Sequence, residues 1–313
     1  MTVKKITVKI ICIPLILLCC LTLVSGSGND HQSVSCPYPL RQLAMYPEKT
    51  GWALSLDNKV LFTENGIEHF EPVRSLENDP YRFAGAAFID QQTAYTAYYS
   101  SKDNQLIVEH TRDSGVSWQQ TLIDFEDYTD ICDAGSIFLS FADAQNGYLL
   151  CCSTPAAGQM TKLLFFTDNA GKTFYFIADL TVPIAGYPQG ITAVSEEQLY
   201  IAVTYHGIDC YLYQSSDYAR TWESVEIFPR TEDTKYVDGY APLFYDDEKQ
   251  KGVILLKIMK EQAVFQLFTT NDAGGHWSLE RELPCDTLLH YSIVGDSQIY
   301  MIDSSGTVFV SCS

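Results

Sequence analysis

Four segments of this chain open with Ser or Thr, carry Asp or Asn two residues on, and close on an aromatic seven residues on. They run from Thr111 to Trp118 (TRDSGVSW), Thr167 to Phe174 (TDNAGKTF), Ser215 to Trp222 (SSDYARTW) and Thr270 to Trp277 (TNDAGGHW). A degenerate fifth copy runs from Thr63 to Phe70 (TENGIEHF), and successive starts lie 48, 56, 48 and 55 residues apart. Self-similarity at such a period marks an array of supersecondary units that bury their apolar faces against one another.

The residue types define a turn. A Ser or Thr hydroxyl and the carboxylate or amide of Asp113, Asn169, Asp217 or Asp272 bond the backbone of their own reversal. Gly115, Gly171 and Gly274 supply a positive φ at the fourth step. Trp118, Phe174, Trp222 or Trp277 then starts the returning strand and packs between units. Two extended runs lie before the strand that enters each octet, for example 84–89, 94–99 and 106–110 before Thr111, and one follows at 121–123. Four short strands repeated about an axis are propeller blades. The chain is therefore expected to be all-β, a six-bladed β-propeller with the octet between strands three and four. Residues 42–73 supply a first blade and four follow, while the tail offers only 289–294, 298–302 and 308–312. The segment Ser33 to Cys36 is expected to add the missing outer strand, with a disulfide between Cys36 and Cys312 stapling the closure.

The octets resemble Asp-boxes, the Ser/Thr-x-Asp-x-Gly-x-Thr-Trp hairpins of bacterial neuraminidase repeat propellers. Asn169, Ala219, Asn65 and Ile67 depart from that pattern. The group includes sialidases, sortilin-type receptors, xyloglucanases and photosystem II assembly-factor-like proteins, so the resemblance implies architecture more than activity.

Lys4, Lys5 and Lys9 precede an apolar run over 10–24, followed by Ser25-Gly-Ser-Gly. Residues 1–26 read as an export signal cut after Gly26, with lipidation at Cys19 or Cys20, or an uncleaved anchor, left open. Residues 27–37 form a linker with the closing strand, and 38–313 the propeller. Without the leader the chain has 17 Lys and Arg against 39 Asp and Glu. So acidic a domain excludes nucleic acid and anionic lipid as partners; contact with a membrane is expected only through the N-terminal segment. No EF-hand spacing and no Cys/His set of zinc-like spacing occurs, so neither metal nor cofactor is expected.

Function falls to the connections from strand four to the next strand one, on the face opposite the octets. Over 74–83, 124–135, 181–190 and 230–240 they gather Tyr81, Tyr128, Tyr187, Tyr236 and Tyr240 with Asp130, Asp238, Arg82 and Arg230. Tyrosine faces beside carboxylates suit sugar rings or a protein partner. A sialidase-like hydrolase would need three converging arginines, and the resemblance leads one to expect an Arg-Ile-Pro segment before the first octet. The chain has seven Arg and no such tripeptide. The expectation is an exported, non-catalytic, monomeric binding module at a bacterial cell surface, with a sialidase-like glycosidase as the alternative.

Overall fold

The computed structural model describes residues 31–76, 84–100, 102–103, 105–124, 134–156, 160–204, 210–283, 287–295 and 298–312. They form a six-bladed β-propeller of four-stranded antiparallel blades, with no α-helix among the described residues. The chain enters through β1 (His31–Val34). Blade 1 is then β2 (Leu40–Met45), β3 (Gly51–Ser55), β4 (Lys59–Thr63) and β5 (Glu71–Ser75). Blade 2 is β6 (Gly85–Phe88), β7 (Ala94–Ser100), β8 (Gln105–Thr111) and β9 (Gln119–Asp124). Blade 3 is β10 (Ala134–Phe141), β11 (Gly147–Ser153), β12 (Lys162–Thr167) and β13 (Tyr175–Asp179). Blade 4 is β14 (Tyr187–Ala193), β15 (Leu199–Thr204), β16 (Leu212–Ser215) and β17 (Glu223–Ser224). Blade 5 opens with two short pieces, β18 (Tyr236–Gly239) and β19 (Leu243–Phe244), and continues through β20 (Gly252–Met259), β21 (Ala263–Thr270) and β22 (Ser278–Leu283). Blade 6 is β23 (His290–Val294), β24 (Gln298–Ile302) and β25 (Val308–Cys312), and β1 pairs with β25 as its outermost strand.

Closure therefore joins the two ends of the described chain, with β1 at 31–34 rather than 33–36. The antiparallel register sets Val34 opposite Val308 and His31 opposite Ser311. Cys36 lies beyond the Val308 end of this ladder and Cys312 beyond the other. Some six residues at about 3.3 Å each separate the two levels, far more than a disulfide spans. Cys36 is a free thiol. The expected Cys36–Cys312 staple is thus corrected: adjacency of strands was read rightly, but antiparallel direction sends the two cysteines to opposite ends.

Each of the four clear octets is a hydrogen-bonded turn joining strands three and four. In blade 2 Thr111 Oγ1 donates to Asp113 Oδ1 at 2.8 Å and accepts Gly115 N at 3.0 Å, and Asp113 Oδ1 also accepts Ser117 N at 2.9 Å. The same bonds recur about Ser215 and Asp217, and about Thr270 and Asp272. Asn169 serves as well as Asp: its Oδ1 accepts Thr173 N at 3.0 Å and its Nδ2 donates to Thr173 Oγ1 at 2.7 Å. The degenerate copy turns differently, with Thr63 Oγ1 donating to Gly66 O at 2.9 Å ahead of a 3₁₀ turn over Ile67–His69. Gly274, at φ 88°, sits so close to blade 4 that a Cβ there would stand 2.3 Å from Tyr200 Oη.

The core lies in the seams between blades. The second residue of strand two is Trp52, Tyr95, Tyr148 and Tyr200 in blades 1 to 4, each almost wholly buried. Burying each ring contributes roughly 1.5–3 kcal/mol. Each also donates a hydrogen bond to the next blade: Trp52 Nε1 to Asp90 O at 2.9 Å, Tyr95 OH to Ala170 O at 3.0 Å, Tyr148 OH to Glu196 O, and Tyr200 OH to Ala273 O at 3.2 Å. In blades 5 and 6 the position is Val253 and Ile299, and in the seam between these blades Tyr291 OH of blade 6 donates to Ala241 O at 2.7 Å instead.

Candidate functional site

Antiparallel order puts the octets and the strand-one-to-two turns on one face of the disc, and the blade-to-blade connections on the other. On the octet face most polar side chains serve the turns. Asp90 Oδ1 accepts Gln92 N and Thr93 N, both at 2.7 Å, and Asp143 Oδ1 accepts Gln145 N at 2.7 Å. A recess of about 900 Å³ opens there, lined by Glu48, Lys49, Glu68 and Arg281 among others. It lies by blade 6, whose strands three and four come from opposite ends of the chain with no octet joining them, so it reads as the gap left by an absent turn.

Of the residues expected on the connection face, Tyr81, Arg82, Tyr128 and Asp130 lie outside the described residues. Tyr187, Tyr236 and Asp238 are positioned by strands rather than by loops, which corrects the expectation for these three. Tyr187 is the first residue of β14, and Tyr236 and Asp238 belong to β18, so the loops expected over 181–190 and 230–240 end earlier than the sequence suggests. Pro188 and Gly190 masked the first strand, and the Ala241-Pro242 break that splits β18 from β19 masked the second.

This placement brings two of the expected residues, Tyr236 and Asp238, together at the seam of blades 4 and 5, while Tyr187 packs against the core between blades 3 and 4. Tyr187 stands opposite Thr204 in the β14–β15 ladder. Thr204 Oγ1 crosses the seam to donate to Asp238 Oδ1, and Lys257 Nζ on β20 lies 3.9 Å from Asp238 Oδ2. Tyr236, two residues before Asp238, projects from the same face of β18. Burial, and then the Asp238 charge, raise the Tyr236 hydroxyl above its ordinary pKa and keep it a neutral hydrogen-bonding group. Both tyrosines are half-buried, and the Asp238 side chain is 14% exposed. Farther along β18 the seam is tight, for a Cβ at Gly239 would stand 2.5 Å from Tyr211 O. A fixed carboxylate, a hydroxyl and an ammonium group beside the Tyr236 ring can accept and donate hydrogen bonds to a polyhydroxylated or peptide ligand.

Other expected residues do not join this cluster. Tyr240 is structural: its OH donates to Leu288 O at 2.8 Å, and its ring meets Tyr291 edge-on at 6.4 Å, inside the seam of blades 5 and 6. Arg230 lies between β17 and β18, beside a turn in which Thr231 N donates to Thr234 Oγ1 at 3.2 Å. Of the arginines a sialidase-like centre would recruit, Arg74 belongs to β5 and is bound to Glu109 of blade 2. Arg41, Arg112, Arg220 and Arg281 are spread over blades 1, 2, 4 and 5. The described arginines do not converge. Thr204 and Lys257 escaped the sequence reading because nothing in a strand-ending Thr or a mid-strand Lys announces a partner 34 or 19 residues away.

No family model matches the sequence, and no curated protein matches it. Solved structures do match in fold. A protein of unknown function from Dyadobacter fermentans superposes with TM-score 0.57 at 10% identity, covering 90% of this chain and 98% of that one. The SapL1 lectin, solved with alpha methyl fucoside, gives 0.52 at 11% identity, covering 85% and 89%. A GH74 enzyme from Niastella koreensis gives 0.52 at 10% identity over 90% of this chain but 53% of its own length. At such identities the likeness defines the class, a β-propeller, and nothing finer.

Proposed function

We propose that this chain is an exported, non-catalytic binding propeller of the Asp-box type, working at a bacterial cell surface and recognising a glycan or a protein through its connection face. The observation that carries the reading is the gathering of Thr204, Tyr236, Asp238 and Lys257 at the blade 4–5 seam. Tyrosine rings offer flat apolar surface with a polar tip, which suits the C–H faces of a sugar or an extended peptide. Asp238, held by Thr204 and near Lys257, is pre-positioned to accept ligand donors at little ordering cost. Export through residues 1–26 is part of the proposal, supported by the Lys-led apolar run of the sequence. The scatter of the described arginines and the raised pKa of Tyr236 both weigh against nucleophilic glycosidase chemistry.

The test pairs a glycan array with turnover of a fluorogenic sialoside by the same purified protein. Saturable binding that weakens at least about tenfold in Tyr236→Ala and Asp238→Asn, some 1.4 kcal/mol, is the expected result. Binding untouched by both substitutions would remove the seam as the site, and turnover would replace the binding module with an enzyme.

A further inference from the structure

Two imidazoles hold a ring nitrogen sealed from solvent with no hydrogen-bond partner among the described residues, Nδ1 of His110 and Nδ1 of His290. A neutral ring tolerates such a nitrogen as a bare lone pair. An imidazolium does not, because both nitrogens then carry N–H and a buried donor is left without an acceptor. Burial, and then the charges of Arg112 and Lys172, lower the pKa of His110, while burial by itself brings His290 down to about 4.

The two differ in what holds their seams. His110 stands opposite Tyr95 and stacks on its ring at 5.2 Å, facing blade 3, which follows blade 2 directly in the chain. His290 stands opposite Ile302, and opposite residues of an antiparallel pair project to one side. Ile302 packs with Val308, Leu40, Val34 and Cys36, so His290 faces blade 1 across the closure of the ring. Here β23, β24 and β25 are held to blade 1 by packing and by the β1 ladder, since their backbone reaches blade 1 only the long way round the disc. The charged groups around this seam are engaged elsewhere. Arg41 of β2 reaches Asn58 Oδ1 at 3.4 Å and Leu56 O at 3.5 Å, and Lys59 lies 2.7 Å from Asp57. Asp303, just past β24, accepts Ser305 N at 2.8 Å and Thr307 N at 2.9 Å. The remaining titratable groups of the closing cluster are Tyr38, Tyr300 and the Cys36 thiol, which burial raises and keeps neutral. None of these stabilises a proton on His290, whose pKa is set by burial.

We propose that His290 is an acid-operated latch on ring closure: taking up a proton, it parts β23, β24 and β25 from β1 and blade 1 and opens the propeller at this seam while the other five stay shut. An imidazole with a lower pKa in the closed ring than in the open chain, where it is about 6.5, stabilises closure above that value and loses its contribution as pH falls toward 4. The opening constant accordingly rises up to about tenfold per pH unit, and about a hundredfold over the window. Asp217 and Asp272, held down to about 2, titrate below it.

Cys36 is a half-buried free thiol of the closing cluster and Cys210 a half-buried free thiol of blade 4. Modification of the full chain by dithiodipyridine, which attacks thiols in acid, followed by peptide mass from about pH 7 to about pH 4, reads the opening. The rate at Cys36 divided by that at Cys210 cancels the reagent's own pH dependence. The expected result is a ratio that rises at least about tenfold as pH falls in the parent and in His110→Leu, and stays flat in His290→Leu and His290→Gln. One apolar and one polar replacement keep the test standing if either fails to fold. A flat ratio in the parent, a rise that survives both His290 replacements, or an equal loss of the rise in His110→Leu would overturn the proposal. So would a rise at Cys36 matched by Cys151 and Cys152, buried in blade 3, because that marks unfolding of the whole ring.

Discussion

Arg74 leaves the outer strand of blade 1 and crosses the seam to Glu109 in blade 2, with Nε 2.9 Å from Oε2 and Nη2 bonded to Oε1. The Glu109 side chain is 3% exposed and that of Arg74 42%. A carboxylate so buried needs its partner, and Tyr98 OH, 3.4 Å away, cannot replace a guanidinium. Arg74→Ala is expected to cost about 3 kcal/mol, the lower end of the range for a broken buried pair because the arginine is partly screened by solvent. Adding Glu109→Gln should recover part of that loss, since the neutral amide tolerates the seam better. Urea titrations of the three proteins measure it, and an Arg74→Ala midpoint within error of the parent would show the pair to be idle. Neither residue is marked in the sequence: Arg74 precedes Glu109 by 35 positions, and only the twist of the blades brings them together.

At the scale of the element, the octet turn has a pH signature. Hydrogen bonds from Thr221 Oγ1, and then Thr221 N, hold the Asp217 carboxyl down to about 2, and those from His276 do the same for Asp272. A carboxyl at about 3.9 in the unfolded chain and lower in the folded one stabilises the fold above its unfolded pKa. That contribution is lost as pH falls from about 4 toward 2. Asp217→Asn should keep the turn, because Asn169 already makes the equivalent bonds in blade 3, while flattening the fall of stability across that window. Thermal melts at intervals between pH 5 and 2 follow the change, and an unchanged slope would assign acid sensitivity to other carboxylates. The octets were legible residue by residue because their chemistry is local, each bond spanning two to four positions. The strands of the candidate site were not, because Pro188 and the Ala241-Pro242 break interrupt the alternation that reveals a strand, and only pairing with β15 and β20 makes Tyr187 and Tyr236 part of one.

For the whole molecule, closure rests on β1 lying against β25 and on Val34, Cys36 and Tyr38 packing with Leu40, Ile302 and Val308. No covalent link between Cys36 and Cys312 contributes, so Cys36→Ala should shift stability by less than about 1 kcal/mol. Removal of a native disulfide would cost about 2–5 kcal/mol, a difference that chemical denaturation resolves easily. Six blades, their four-strand make-up and the borrowed outer strand follow from the sequence, because repeat length, turn chemistry and strand periodicity are written in consecutive residues. Which residues meet across the seams was decided by the tertiary structure alone. Thr204 with Asp238, Arg74 with Glu109, Tyr240 with Leu288, and the direction that parts Cys36 from Cys312 all depend on register and blade-to-blade packing. Those are properties of strands far apart in the chain, fixed only when the ring closes.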